Sequence, residues 1–139
     1  MSKITFTIPG NPMGKQRART LKTGHSYTPN ETVNYETLVK MAYDQLPDKC
    51  YFEGQLKIII TAVFGIPKST SKAKAKLMLE GKMRPTKKPD WDNIGKIICD
   101  SLNGIAFHDD SQIVGGCVRK FYGEVPCVRV DLEEDCHEN

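Results

Sequence analysis

Gln55-Leu56-Lys57-Ile58-Ile59-Ile60-Thr61-Ala62-Val63-Phe64 is rich in β-branched residues and nearly continuous in apolar character. Such residues suit a packed, pleated strand. The lack of clean alternation predicts a central strand buried on both faces. Pro67 stops it. Upstream, Ile4-Thr5-Phe6-Thr7-Ile8 alternates strictly and predicts a half-buried strand, broken by Pro9-Gly10-Asn11-Pro12. Between the two strands, Tyr35, Leu38, Val39, Ala42 and Leu46 recur at helical spacing. Thr28, with Pro29 and Glu31 behind it, or Asn30 is placed to cap that helix. Pro47-Asp48 ends it.

Downstream of the central strand, Ser69-Thr70-Ser71 offers caps for a helix over about residues 71–81. Its apolar stripe, Ala73, Leu77 and Met78, is narrow and otherwise surrounded by lysine, which predicts a weakly packed, mobile segment. A third helix begins at Asp90 or Asp92 and sets Ile94, Ile97, Ile98 and Leu102 on one face. Asn103-Gly104 closes it with a left-handed cap. A strand follows over about 112–122, and a hairpin around Gly123-Glu124-Val125-Pro126 returns as Cys127–Leu132. The order β-α-β-α-α-β-β predicts an α/β (α+β) single domain over 1–139, a mixed sheet of about four strands with helices packed on it. Residues 131–139 read as an acidic, frayed tail.

Composition agrees: 139 residues, 39% hydrophobic and 27% charged, fit one globular domain with a real core. No apolar run reaches the roughly 18 residues of a membrane span, and Met1–Phe6 lacks the apolar stretch of an export signal, so a cytoplasmic location is expected. The five cysteines are then expected to be reduced. Cys117, Cys127, Cys136 and His137 lack the C-x-x-C knuckle usual in a tight zinc site. Net charge is only +3 but unevenly placed. Lys15, Arg17, Arg19 and Lys22 lie in an acid-free N-terminal stretch, and residues 67–90 are crowded with lysine and arginine. Two basic segments around a carboxylate cluster point to a surface that grips phosphates. Within them, Lys15, Arg17, Arg19, Lys87 and Lys88, in the basic loops 14–22 and 68–88, are the candidate contacts to a polyanion's phosphates.

The carboxylates lie in Lys87-Lys88-Pro89-Asp90-Trp91-Asp92-Asn93-Ile94-Gly95-Lys96, with Asp109-Asp110 downstream. Crowded carboxylates repel unless a cation lies between them, and Mg²⁺ favours oxygen ligands. Asp90, Asp92 and Asp109 or Asp110 are the candidate ligands. Lys96, one turn beyond Asp92, is placed to meet a scissile phosphate; alone it reads as an i,i+4 ion pair worth roughly 0.3–0.5 kcal/mol. Asp100 reads as its helix-side partner, Asn93 as a cap or positioning group, and His108 as a loop residue beside the site.

The pattern Lys88-Pro89-Asp90-x-Asp92-Asn93-x-x-Lys96, an apolar helix, then Asp109-Asp110-x-Gln112-Ile113, resembles the signature of the RusA family of Holliday junction resolvases. The resemblance is tight over 87–114 and loose elsewhere. It implies that Asp90, Asp92 and Asp110 are metal-binding catalytic acids, with Lys96 the catalytic lysine. It also implies a Mg²⁺-dependent homodimer that nicks two strands of four-way junction DNA, in a bacterial or phage setting. Two other readings compete: a non-catalytic branched-DNA-binding protein, and a metal-dependent nuclease of another nucleic acid. Loss of an acid or of the lysine would mark the first, and none is lost here.

Overall fold

The computed structural model describes residues 3–16 and 19–134; of Arg19 and Tyr27 only the backbone is described. Among the described residues there are six strands: β1 (Lys3–Pro9), β2 (Arg19–Thr20), β3 (Ser26–Tyr27), β4 (Leu56–Gly65), β5 (Ile113–Gly123) and β6 (Cys127–Glu134). Three helices accompany them: α1 (Asn30–Asp44), α2 (Lys72–Leu79) and α3 (Trp91–Leu102). This is a single domain of α+β type. A four-stranded mixed sheet is ordered β1-β6-β4-β5, and β2-β3 form a separate ribbon that the sequence patterns did not predict. Two-residue strands are too short to show periodicity.

The core is one cluster. Alternate residues of β1 (Ile4, Phe6, Ile8), β4 (Leu56, Ile58, Ile60, Ala62, Phe64) and β6 (Val128, Val130, Leu132) meet Tyr35, Val39 and Tyr43 of α1 and Ile94, Ile97, Ile98 and Leu102 of α3. Each helix turns the stripe expected from its spacing onto the sheet. Phe6 and Tyr43 cross edge to face at 5.5 Å. The Tyr43 hydroxyl donates to the carbonyl of Cys50.

Four expectations are corrected. β4 is central, paired with β6 and β5, but buried on one face only: Lys57 is exposed and Ile59 is 39% exposed. The packed helices cover a single side, so the apolar residues Ile59 and Val63 lie on the open one. No β5–β6 hairpin forms. β5 runs parallel to β4 while β6 runs antiparallel to it, so β4 separates the two. The most apolar strand buries most by taking both neighbours, and the 124–126 link passes the end of β4, where Pro126 stands near Gly65. Asp131–Glu134 is strand rather than tail: β6 runs to Glu134, Leu132 is buried, and Asp131 accepts a 2.6 Å bond from Thr5. Residues 135–139 lie outside the described residues.

The fourth concerns helix ends and faces. Pro29 holds the N-cap position of α1 with no side-chain bond, so neither Thr28 nor Asn30 caps it. On α2 only Met78 is buried, while Ala73 is exposed and Leu77 is 39% exposed. Ser71 does cap α2, accepting from Lys74 N at 3.3 Å. Beyond α2 the chain is tied to β5. Arg84 Nε donates to the Lys120 carbonyl (2.8 Å) and its guanidinium stacks 4.0 Å from the Phe121 ring centre. Lys120 Nζ returns a 2.7 Å bond to the Lys87 carbonyl.

Candidate active site

Asp90 occupies the N-cap position of α3 in extended conformation, yet its side chain bonds none of the helix N–H groups. Asp92 lies in the first turn, where the helix dipole favours an acid. Both are exposed. The turn beneath them is fixed through its backbone and its core face: Ile94 is fully buried, and Lys15 N donates to Asn93 O at 2.9 Å. Gly14 makes that clamp possible by close approach. A Cβ there would stand 2.9 Å from Cβ of Pro89 and 3.0 Å from Cβ of Asn93. Gly14, Lys15, Lys88, Pro89, Asp90 and Asn93 line an open cleft of about 470 Å³.

One turn on, Lys96 is 61% exposed at its side chain and lies 3.4 Å from Asp100 Oδ2. The same oxygen is 3.2 Å from Lys15 Nζ, which also meets Glu36 of α1 at 3.2 Å. Asp100 therefore joins two ammonium groups from two segments. Burial opposes the charge on Lys15, but its hydrogen bonds to Asp100 and Glu36 outweigh that and raise its pKa. Cys99, next to Asp100 in α3, is half-buried. Its thiol is pushed up to about 11, first by burial, then by the negative charges of Asp110 and Asp100. Lys96 acts on it in the opposite sense.

Asp110 begins a 3-10 turn, Asp110–Gln112, whose neighbours are all engaged. Asp109 caps it, accepting from Ser111 N at 3.0 Å, and hydrogen bonds from Ser111 hold its carboxyl below the ordinary value. Gln112 Oε1 accepts from His108 N (2.8 Å) and Asp109 N (3.1 Å). Gln112 Nε2 donates to Phe52 O and Gly54 O, each at 3.0 Å. Among the described residues the carboxylates of Asp90, Asp92 and Asp110 accept no hydrogen bond.

The structure pairs Lys96 with Asp100 on α3, with Asp90 and Asp92 at the start of that helix; among the described residues no hydrogen bond or ion pair joins the Asp110 carboxylate to them. Among the described residues no three acidic, histidine or cysteine side chains are grouped so as to hold a metal ion, so Asp90, Asp92 and Asp110 do not converge as a trio. Lys15 bonds to protein carboxylates rather than facing solvent as a lone phosphate contact. Lys87 and Lys88 are exposed, Lys87 reaching 5.8 Å from the Tyr122 ring centre. Arg17 lies outside the described residues, as does the side chain of Arg19. Sequence reading missed the roles of Gln112, Glu36 and Gly14, and half the role of Asp100. Gln112 was detectable: Asp109-x-x-Gln112 has capping-box spacing.

The family model for endodeoxyribonuclease RusA matches residues 9–133. The chain belongs to the RusA endodeoxyribonuclease family. It is also similar to YqaN of Bacillus subtilis (strain 168), an uncharacterized protein. The two are 34% identical over 139 residues, which span 96% of this chain and 98% of YqaN. The matched residues include Asp90, Asp92 and Asp110, and membership of this family implies an endodeoxyribonuclease activity. The donor chemistry of these acids fits a hard divalent ion: three carboxylates without protein partners among the described residues. Mg²⁺ takes one or two carboxylates and completes its octahedron with water and phosphate oxygens, so a closed protein cage is not required. Among the described residues no helix is long and apolar enough to cross a membrane.

Proposed function

We propose that this protein is a Mg²⁺-dependent, structure-selective nuclease. It resolves four-way (Holliday) junctions by paired symmetric cuts in DNA recombination and repair. What supports this reading is the set of carboxylates that accept no hydrogen bond among the described residues: Asp90 and Asp92 at the start of α3 and Asp110 in the 3-10 turn before β5. Asp90, Asp92 and Asp110 are the oxygen ligands, and Lys96 meets the scissile phosphate. When bound, Mg²⁺ lowers the pKa of a coordinated water and offsets charge on the attacked phosphate and leaving oxygen. Asp100 holds Lys96 close to Lys15, so that two ammonium groups face the polyanion from one side. Lys87 and Lys88, with Arg17 and Arg19 of the preceding basic loop, extend the phosphate contacts.

Each chain carries one carboxylate cluster, and resolution needs two matched cuts. A two-fold homodimer supplies them in the symmetry of the junction itself. The setting is the cytoplasm of a bacterium, with the gene bacterial or phage-borne. The test is cleavage of a four-way junction, linear duplex, single strand and RNA, each with and without Mg²⁺. The expected result is paired nicks in the junction alone, and only with Mg²⁺. Binding without cutting would favour a non-catalytic branched-DNA-binding protein, and cutting of RNA a different nuclease.

A further inference from the structure

Trp91 is the chain's only tryptophan and is 63% exposed. So large an apolar side chain is seldom left this open, so its exposure points to something that covers it. Its place is specific. It stands between Asp90 and Asp92 in the first turn of α3, one helical turn before Gly95, where a Cβ would lie 3.3 Å from Val118 of β5. The ring therefore rises from a backbone that is fixed by the core and by the Lys15–Asn93 bond. The cations nearby already have rings: Arg84 lies over Phe121, Lys87 over Tyr122 and Lys120 over Phe64. Among the described residues no ring or cation is stacked on Trp91.

Resting on the function proposed above, we propose that Trp91 stacks on an unstacked nucleobase beside the scissile phosphate, at the branch point of the junction. Trp91 stands between the two exposed carboxylates in the chain, so a strand that meets them has an open ring beside it. A protein surface pressed on Trp91 would also strip water from Asp90 and Asp92 without pairing them, which is costly. A nucleobase covers the ring with its own π-face and leaves both acids to the phosphate side. In continuous duplex each base face is taken by its neighbour, whereas a branch point offers open faces. The contact is tolerant of sequence, because every base has a π-face, and it favours junction over duplex.

The single tryptophan makes the test direct. The Asp110→Asn protein, which binds without cutting, is titrated with a four-way junction and with a linear duplex of matched length. Tryptophan emission is read beside the anisotropy of labelled DNA. Emission should be quenched along the junction binding curve and little changed by duplex. In the same background, Trp91→Ala should weaken junction binding about tenfold and duplex binding far less, with Trp91→Phe restoring most of the loss. Junction binding with unchanged emission, and equal affinity in Trp91→Ala, would overturn the stacking contact and leave the nuclease reading standing. Emission that shifts with protein concentration alone would place the ring in a protein–protein contact and overturn it too. No junction binding by anisotropy would overturn both.

Discussion

The two acid-bearing segments of the site, 90–96 and 109–112, are built in opposite ways. In 109–112 almost every polar group has a partner: Asp109 caps the turn, and Gln112 joins it to Phe52 and Gly54 with both ends of its amide. Only the Asp110 carboxylate is left over. In 90–96 the backbone is held, by burial of Ile94 and by the loop at Gly14, while both carboxylates are exposed and accept no hydrogen bond among the described residues. One segment is fixed by side chains and the other by main chain and core packing. Both leave bare the acids that the family pattern marks. Rigid supports with free oxygens are what a site for a hard cation and a phosphate needs.

That contrast can be broken by substitution. The largest effect is expected for Asp90→Asn and Asp92→Asn. Junction cutting should fall on the order of a thousandfold or more, while the melting temperature moves little, because neither carboxylate accepts a hydrogen bond among the described residues. A melting shift as large as that of a core variant would show that these acids are structural. Lys96→Ala should cost about a hundredfold in cutting. Asp100→Asn should cost less, and the double variant should fall short of the two losses combined, since Asp100 acts through Lys96.

Gln112→Ala tests the other segment. It removes four hydrogen bonds and should cost about 1–3 kcal/mol in a urea titration. Cutting should fall with it, because Asp110 loses its support. Unchanged stability would mean that the network does not hold the turn. Asp109→Asn is expected to do least, with a slightly lower melting temperature and cutting within a few fold of wild type. The depressed carboxyl of Asp109 adds stability above its ordinary value of 3.8, and this is lost as pH falls through its folded value. The melting gap between wild type and Asp109→Asn should therefore close in acid.

Much of this was legible beforehand. Spacing placed Ile94, Ile97, Ile98 and Leu102 on the core face of α3, and a charge pattern placed Lys96 beside Asp100. Strand pairing was less legible. Gly123–Pro126 has the composition of a hairpin turn, but whether β5 joins β6 or β4 depends on which pairing buries more, a non-local quantity. Likewise nothing near Ile59 told that one face of β4 lacks a helix. Within the site, Lys15 looked like a free basic residue. Its partners Glu36 and Asp100 are distant in sequence and meet it only after α1 and α3 pack together. Nothing local marks Gly14, whose place is set by close approach to Pro89 and Asn93.

The most direct measurement sets Asp109→Asn beside Asp110→Asn in single-turnover cutting of a four-way junction with Mg²⁺, at protein concentrations where gel shift shows both to be fully bound. The bonded carboxylate should be dispensable and the bare one essential. Asp109→Asn is predicted to cut within a few fold of wild type, and Asp110→Asn to bind and not cut. Full cutting by Asp110→Asn, or loss of cutting only in Asp109→Asn, would contradict the assignment of Asp110 to the metal and the scissile phosphate.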